Sequence, residues 1–404
     1  MMSEDASPDL EKSEVQSNAS SCKSDTTSSH SDPSTYTYDH EPFETCKSRA
    51  LQLGQEVLTP SNGELSIERM RGGGFNRIIG LSTTKQYILR IPRFEDRQLT
   101  EDLAPLQLLA SQSIIPIPNV VKFDTSKSNA LQSPYIIMDR ISGASLWPTY
   151  PTMPHSAKSA IARDLGKVYA ELHSIRSVNT GRLTFAPSAE QLSYESLMIQ
   201  PLENSATDAM VPYENGPTSR TPLDTIRAIL EHKIELATAM SPEAAGFRIE
   251  FYNQFLTIAS EMDALGVLDE SGYCLSHLDL EPRNIMAHSQ GISGILDWDN
   301  ALFAPLLLAC APPMWIWAWN DDEDEDERLA GDIPANPESR ELKEVFENAA
   351  GSIYLRYAYG AQYRIARTLL RFAIDGIQVA EDFGRIEVLQ AEWDKIRDLL
   401  RTTK

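Results

Sequence analysis

Basic residues are in short supply: 36 Lys and Arg stand against 58 Asp and Glu, a net charge of −22. A chain of that balance has no basic face with which to neutralise a nucleic-acid backbone, so nucleic acid is excluded as a partner. Cysteine is scarce too. Cys22, Cys46, Cys274 and Cys310 form neither a C-x-x-C pair nor a regular framework, which argues against a disulfide scaffold and for a reduced, cytoplasmic protein. No apolar run opens the chain, so no secretory leader is expected. No internal repeat is visible, which removes solenoids. One uncharged run, Ala301–Trp319, is long enough to cross a bilayer but contains Pro305, Pro312 and Pro313. Prolines there break a helix, and the expectation is a buried core segment with no membrane span.

What is present is a chain of 404 residues with 42% apolar content, enough for a tail and a two-lobed domain. Residues 1–44, above all those up to about Asp39, are rich in Ser, Thr, Asp and Glu and nearly free of large aliphatics. Such a stretch cannot bury enough apolar area to offset its ordering entropy, and is read as a disordered tail. Residues 45–138 read as a small strand-rich lobe with one helix. Leu65–Met70 leads as a strand into the glycine turn Gly72-Gly73-Gly74-Phe75-Asn76, and Gln86–Ile91 follows as a strand carrying one cation, Arg90. Glu101–Ser111 has helical leucine spacing, with Pro105 limiting it to the first turn or introducing a kink, and Ile117–Val121 and Tyr135–Met138 are two more strands. Asp139–Gly143 breaks the strand pattern as a hinge would, and residues 139–404 turn mostly helical. Within them Glu190–Thr221 reads as loop with a short helix at most.

The chemistry concentrates between Cys274 and Ala301. His277, Asp279 and Asn284 fit the H-x-D-x-x-x-x-N pattern, and Asp297 follows eighteen positions after Asp279. That spacing lets one carboxylate meet a hydroxyl proton while an amide and a second carboxylate hold magnesium on a triphosphate. A glycine turn exposes backbone N–H groups to phosphate oxygens because no Cβ blocks the approach. Alone it is weak evidence; the order glycine turn, cation-bearing strand, acid-bearing helix, acid–Asn–acid stretch is what a kinase nucleotide site requires. Arg90 is preferred over Lys85 and Arg93 as the cation for the phosphates, with Glu101 preferred over Asp102 as its partner, and Met138 ends the strand before the hinge at the nucleotide site. His277 is placed with Asp279 in the catalytic loop, supporting it through hydrogen bonds.

The pieces H-L-D-L-E-P-R-N-I-M and I-L-D-W-D-N-A resemble the aminoglycoside phosphotransferase family, whose usual forms are H-G-D-x-x-x-x-N and I-D-W-x-x-A. The upstream G-G-F-N-R, Y-I-L-R-I, I-P-I-P-N-V, Y-I-I-M-D and L-H-S pieces fit as well, so the likeness covers roughly Leu65–Leu308. It implies an α+β, protein-kinase-like two-lobed fold: a small strand-rich N-lobe (45–138), and a larger, mainly helical C-lobe (139–404) with the catalytic loop, metal site and acceptor site. It implies Mg²⁺-ATP as phosphate donor and a small-molecule hydroxyl as acceptor. By the same resemblance Asp279 is the catalytic carboxylate and Asn284 and Asp297 are the metal ligands. Gly72, Gly73, Gly74, Phe75 and Asn76 form the phosphate loop, and Arg90 is the phosphate-binding cation.

Three residues depart from the family pattern. Leu278 replaces the usual Gly beside Asp279, Glu281 sits where many kinases carry Lys or His, and Arg90 replaces Lys. A protein kinase is disfavoured, since D-W-D stands for D-F-G and no A-P-E follows. A catalytically silent kinase-fold binding or scaffold protein is the alternative, suggested by the tail, Glu281 and the acidic run Asp321–Glu327. That run and Asp299 would draw a cationic acceptor, although a solvated loop is its simpler use. Trp315, Trp317 and Trp319 alternate and could stack on a sugar or an amine, with core packing the simpler use.

Overall fold

The computed structural model describes residues 42–58, 64–70, 72, 74–94, 99–189, 191–202, 210–213, 221–240, 242–268, 272–320, 326–378 and 381–402. Most of the stretch read as a tail lies outside them; helix α1 (Phe43–Leu58) begins just inside its far end.

The smaller lobe is a five-stranded antiparallel sheet of β1 (Ser66–Arg69), β2 (Asn76–Ser82), β3 (Gln86–Pro92), β4 (Val120–Asp124) and β5 (Tyr135–Asp139), ordered β1-β2-β3-β5-β4. Strand alternation divides its side chains between two faces. Ile79, Leu81, Leu89, Ile91 and Ile137 meet Ala50 and Leu53 of α1 on the outer face. Ile88, Ile136 and Met138 meet Leu99, Leu103 and Leu106 of helix α2 (Leu99–Gln112) and, beyond it, the larger lobe. Arg90 shares the parity of Ile88, and therefore points towards the junction of the lobes.

Two expectations need correction here. The small lobe carries two helices among its described residues, not one, because α1 covers the outer face of the sheet. Pro105 neither stops nor confines α2: the helix runs on to Gln112, with Pro105 itself buried on its packed side. Burial of the leucine stripe outweighs the one backbone hydrogen bond that proline removes.

The larger lobe follows β6 (Ala144–Ser145), the one-turn helix α3 (Leu146–Thr149) and the long α4 (His155–Ser174). Short strands β7 (Arg176–Ser177), β8 (Gly181–Phe185), β9 (Leu197–Gln200) and β10 (Val211–Pro212) precede helices α5 (Pro222–Met240) and α6 (Pro242–Ala264). Then come β11 (Tyr273–Ser276), β12 (Ile285–His288), β13 (Gly291–Ile295), β14 (Leu302–Ala304) and the short α7 (Leu306–Ala309). Helices α8 (Pro337–Ala358), α9 (Ala361–Asp375) and α10 (Glu381–Thr402) close the chain. A core around Phe255, Met262, Phe346, Tyr354, Leu369 and Trp393 holds the helices together.

The strands form a six-stranded sheet, β10-β9-β8-β14-β11-β7, and a three-stranded one, β13-β12-β6. The first corrects the reading of Glu190–Thr221 as loop, since β9 and β10 lie there and extend the sheet from β8. The second holds the site. β6 leaves the hinge and pairs with β12, and Gly143 permits this at φ +100°, where an added Cβ would stand 2.4 Å from the Ala287 carbonyl oxygen. Ala301–Trp319 is interrupted as its prolines predict, folding as β14, α7 and a tight turn at Met314–Ile316, with Trp315 and Trp317 buried. Among the described residues no helix is long and apolar enough to cross a membrane.

Candidate active site

β11 delivers the chain to His277, and β13 delivers it to Asp297. His277 is 2% exposed. Its Nε2 donates to the Leu296 carbonyl at 2.8 Å, and its Nδ1 accepts from the Asp279 N–H at 3.3 Å. Desolvation lowers its pKa, which keeps the ring neutral, and Trp298 meets it edge to face at 4.5 Å. Both ring nitrogens serve the backbone, so His277 braces one arm of the site against the other.

Leu278 takes the left-handed conformation at φ +61°, and its carbonyl accepts from Arg371 Nη2 at 3.0 Å. A glycine adopts that conformation without strain, which is the backbone reason for the glycine in the usual H-G-D form. Asp279 then follows, its side chain partly exposed at 27%. The Asn284 amide nitrogen, 2.9 Å from both its carbonyl oxygen and its Oδ2, donates to each, and Arg283 Nη2 contacts its Oδ1. The turn Pro282–Asn284 is fixed by the Asn284 N–H to the Glu281 carbonyl at 2.9 Å and by Ser145 Oγ donating to the Arg283 carbonyl at 3.2 Å. The Leu296 N–H donates to the Asn284 carbonyl at 2.8 Å, which sets Asp297 beside Asn284. Asp297 is itself left-handed (φ +64°, ψ +57°).

Across the cleft, Arg90 reaches down from β3. Its Nη2 lies 2.9 Å from Asp297 Oδ1, 3.1 Å from Asp299 Oδ2 and 3.4 Å from Asp102 Oδ1. Asn76, with its amide oxygen turned to the guanidinium, accepts from Nη2 at 2.7 Å and Nε at 3.1 Å. One cation thereby joins the glycine-turn strand, α2 and the arm of Asp297. On α2, Asp102 reaches Arg90: Leu99, Asp102, Leu103 and Leu106 lie on one buried helical stripe, and Glu101 falls outside that stripe.

Of the glycine turn, Gly73 lies outside the described residues. At Gly72 a Cβ would stand 2.7 Å from the Asn76 carbonyl oxygen, so the turn folds back tightly on itself. Phe75 is exposed and meets Phe94 edge to face, while the Arg93 N–H closes the hairpin onto the Phe75 carbonyl at 2.9 Å. Met138 is buried at the end of β5, opposite Ile88.

Several residues of the site were not singled out in the sequence. Arg283 and Ser145 hold the turn after Asp279, and Arg371, from α9, holds the turn before it. Asp102 had a signal in the helical stripe; Arg371, 93 residues from Leu278, had none. Glu281 stands close to Asp279. Desolvation raises its carboxyl pKa, the neighbouring Asp279 adds to this, and Arg283 and Arg371 oppose it. A cavity of about 70 Å³ behind the loop is bordered by His173, His277, Glu281, Pro312 and Arg371. A larger one of about 420 Å³ shares Arg371 and extends among Arg367, Asp375, Asp382 and Arg385. Of the acidic run, 321–325 lie outside the described residues; Asp326 pairs with Arg328, and Glu327 with Arg367. Trp319 is the alternating tryptophan left near the surface, stacked on Tyr150 at 5.4 Å and beside Trp147 at 5.7 Å.

The oxygen donors fit a hard divalent cation. Asn284 turns its amide nitrogen to Asp279, so its side-chain oxygen could serve a cation, and Asp297 has a half-exposed carboxylate that could serve it as well. Magnesium is held by one or two such groups together with water and phosphate oxygens. Such a pair suffices although no cluster of three His, Cys, Asp or Glu side chains suited to a metal occurs among the described residues.

A model of the phosphotransferase enzyme family, APH, matches residues 66–342. Two curated relatives are both called "Altered inheritance of mitochondria protein 9, mitochondrial". The one from Clavispora lusitaniae is 31% identical over 115 residues, 26% of this chain and 19% of that protein. The one from Debaryomyces hansenii is 35% identical over 86 residues, 19% of this chain and 14% of that protein. The chain thus matches under a fifth of the length of either. Among solved structures, aminoglycoside phosphotransferase APH(4)-Ia is similar with a TM-score of 0.48 and 16% identity, over 88% of this chain and 98% of that one. ADP-bound APH(2'')-Ib gives 0.47 and 15%, over 86% and 96%. The streptomycin–ATP complex of APH(2'')-IIa gives 0.47 and 15%, over 85% and 96%. The family model spans well over half of the chain and takes in both carboxylates, Asn284 and Arg90, and the chain belongs to the APH phosphotransferase enzyme family.

Proposed function

We propose that the protein transfers the γ-phosphoryl group of ATP to a hydroxyl of a small molecule, with residues 45–138 holding the nucleotide and residues 139–404 the acceptor. The observation that carries the proposal is the convergence of Asp279, Asn284 and Asp297 under Arg90. The Asp279 carboxylate is fixed by Asn284, as a base that orients an attacking hydroxyl must be. The acceptor oxygen bonds to the γ-phosphorus as the bond from that phosphorus to the bridging oxygen breaks. ADP keeps the bond's electron pair, and the hydroxyl proton passes to Asp279. Asn284 and Asp297 would hold Mg²⁺, which supplies positive charge against the phosphate oxygens when bound. Arg90 and the turn at Gly72–Asn76 orient the donor phosphates. The acceptor is an amine- or sugar-bearing alcohol, since the carboxylates of Asp279 and Glu281 favour a cation. The thiols of Cys46, Cys274 and Cys310 are all buried, in keeping with a cytoplasmic setting.

ADP formation from ATP across a panel of aminoglycosides, choline, ethanolamine, sugars and amino alcohols tests the proposal. The expected result is turnover that requires Mg²⁺ and falls at least a hundredfold in Asp297→Ala. A silent binding module is the second reading, favoured by Glu281 and by the engagement of both Asp279 carboxylate oxygens. It predicts no ADP formation with any acceptor, whether Mg-ATP is bound without turnover or not bound at all.

A further inference from the structure

Arg283 is the cation of the catalytic turn. Its backbone is pinned by Ser145, and its side chain is 57% exposed and bends back onto Asp279 Oδ1. Arg90, which orients the donor phosphates in the reading above, shares its charge with several acids. Arg90 is enclosed by Asp102, Asp297, Asp299 and Asn76, a cluster that stays anionic with the guanidinium included. Arg371 approaches from behind the loop and donates to the Leu278 carbonyl. His277 is held neutral by burial. A polyphosphate arriving beside Asp279 and Asp297 meets two carboxylates, and Glu281, close to Asp279, adds no positive charge.

We infer that Arg283 binds the terminal phosphoryl group of a nucleoside triphosphate and supplies the positive charge that Glu281 does not. The inference rests on the phosphotransferase reading above. A guanidinium carries five N–H donors and so can keep one on Asp279 while offering others to a phosphoryl oxygen. Its contact with Asp279 is half exposed and therefore weak, which leaves it ready to be shared. The side chain would hold the phosphoryl oxygens against the carboxylate that receives the acceptor proton, and would screen Asp279 and Glu281 from the incoming charge.

The test is calorimetric titration of the full chain with Mg-ADP and with the non-hydrolysable triphosphate Mg-AMP-PNP, for wild type, Arg283→Met and Arg283→Lys. Arg283→Met should weaken Mg-AMP-PNP about tenfold while leaving Mg-ADP within about twofold, and Arg283→Lys should recover part of the loss. Equal weakening of both nucleotides, or no change in either, overturns the inference and leaves the phosphotransferase reading standing. Wild-type protein that binds neither nucleotide overturns that reading, and this inference with it. The exposure of the side chain predicts an unchanged unfolding temperature for both variants, so a folding defect is separable from a binding one.

Discussion

The Arg90 guanidinium holds together groups that would otherwise repel one another. It is 8% exposed, and Asp102, Asp299 and Asp297 converge on it from two elements. Arg90→Met would leave buried carboxylates without their cation, at a cost of about 3–5 kcal/mol. Urea unfolding of the variant checks this, and a change below about 1 kcal/mol would show that the cluster relaxes into solvent. Leu278 is the second special residue, held left-handed with Arg371 on its carbonyl. Leu278→Gly removes strain of about 1–2 kcal/mol and also some apolar burial, so its unfolding temperature should stay near wild type. Leu278→Val adds a β-branch where the backbone tolerates it least, and should cost at least about 1 kcal/mol. Equal stability of the two variants would contradict the assigned conformation. The inward position of Arg90 was legible from strand alternation in Gln86–Ile91. Asp102 was legible from its leucine stripe, although the acid one position earlier was preferred. The backbone of Leu278 and its tie to Arg371 were not, because that hydrogen bond comes from a helix distant in sequence.

At the scale of elements, two hairpin-like arms present the chemistry. β11 and β12 bracket the loop of Asp279, and β12 with β13 brings Asp297 back beside Asn284. β6 seals the outer edge of this small sheet and, through Ser145, fixes the turn that carries Arg283 and Asn284. Gly143→Ala should therefore act beyond its own strain. The Cβ must displace the Ala287 carbonyl, unsettling β12 and lowering nucleotide affinity along with the unfolding temperature. Loss of stability with nucleotide affinity intact would show that β6 does not position the turn. The long helices were legible from their periodicity, and the strand–loop–strand–turn–strand order of the arms from its apolar runs. The six-stranded sheet was not: β7, β9 and β10 span two to four residues each, too few for a period of two to register.

For the whole molecule, two buried histidines couple stability to pH. His173 lies under Tyr169 and Tyr354, with Cys310 Sγ at 3.6 Å, and desolvation lowers its pKa to about 4. Burial lowers that of His277 in the same direction. The unfolded chain binds these protons near pH 6.5 and the folded one only at lower pH, so stability is intact above that range and falls as the solution is acidified. His173 alone should account for about 2 kcal/mol between pH 7 and pH 5, and His173→Gln should flatten that part of the profile. A variant with the wild-type slope would show that the ring is not buried neutral.

The central claim, that Asp279 receives the acceptor proton in a phosphoryl transfer, is tested most directly by ADP formation from Mg-ATP with a productive acceptor. Asp279→Asn keeps the shape of the side chain and removes its basicity. The predicted result is a fall of about 10²–10⁴-fold in kcat with Mg-ATP affinity unchanged. Turnover equal to that of the wild type would contradict it.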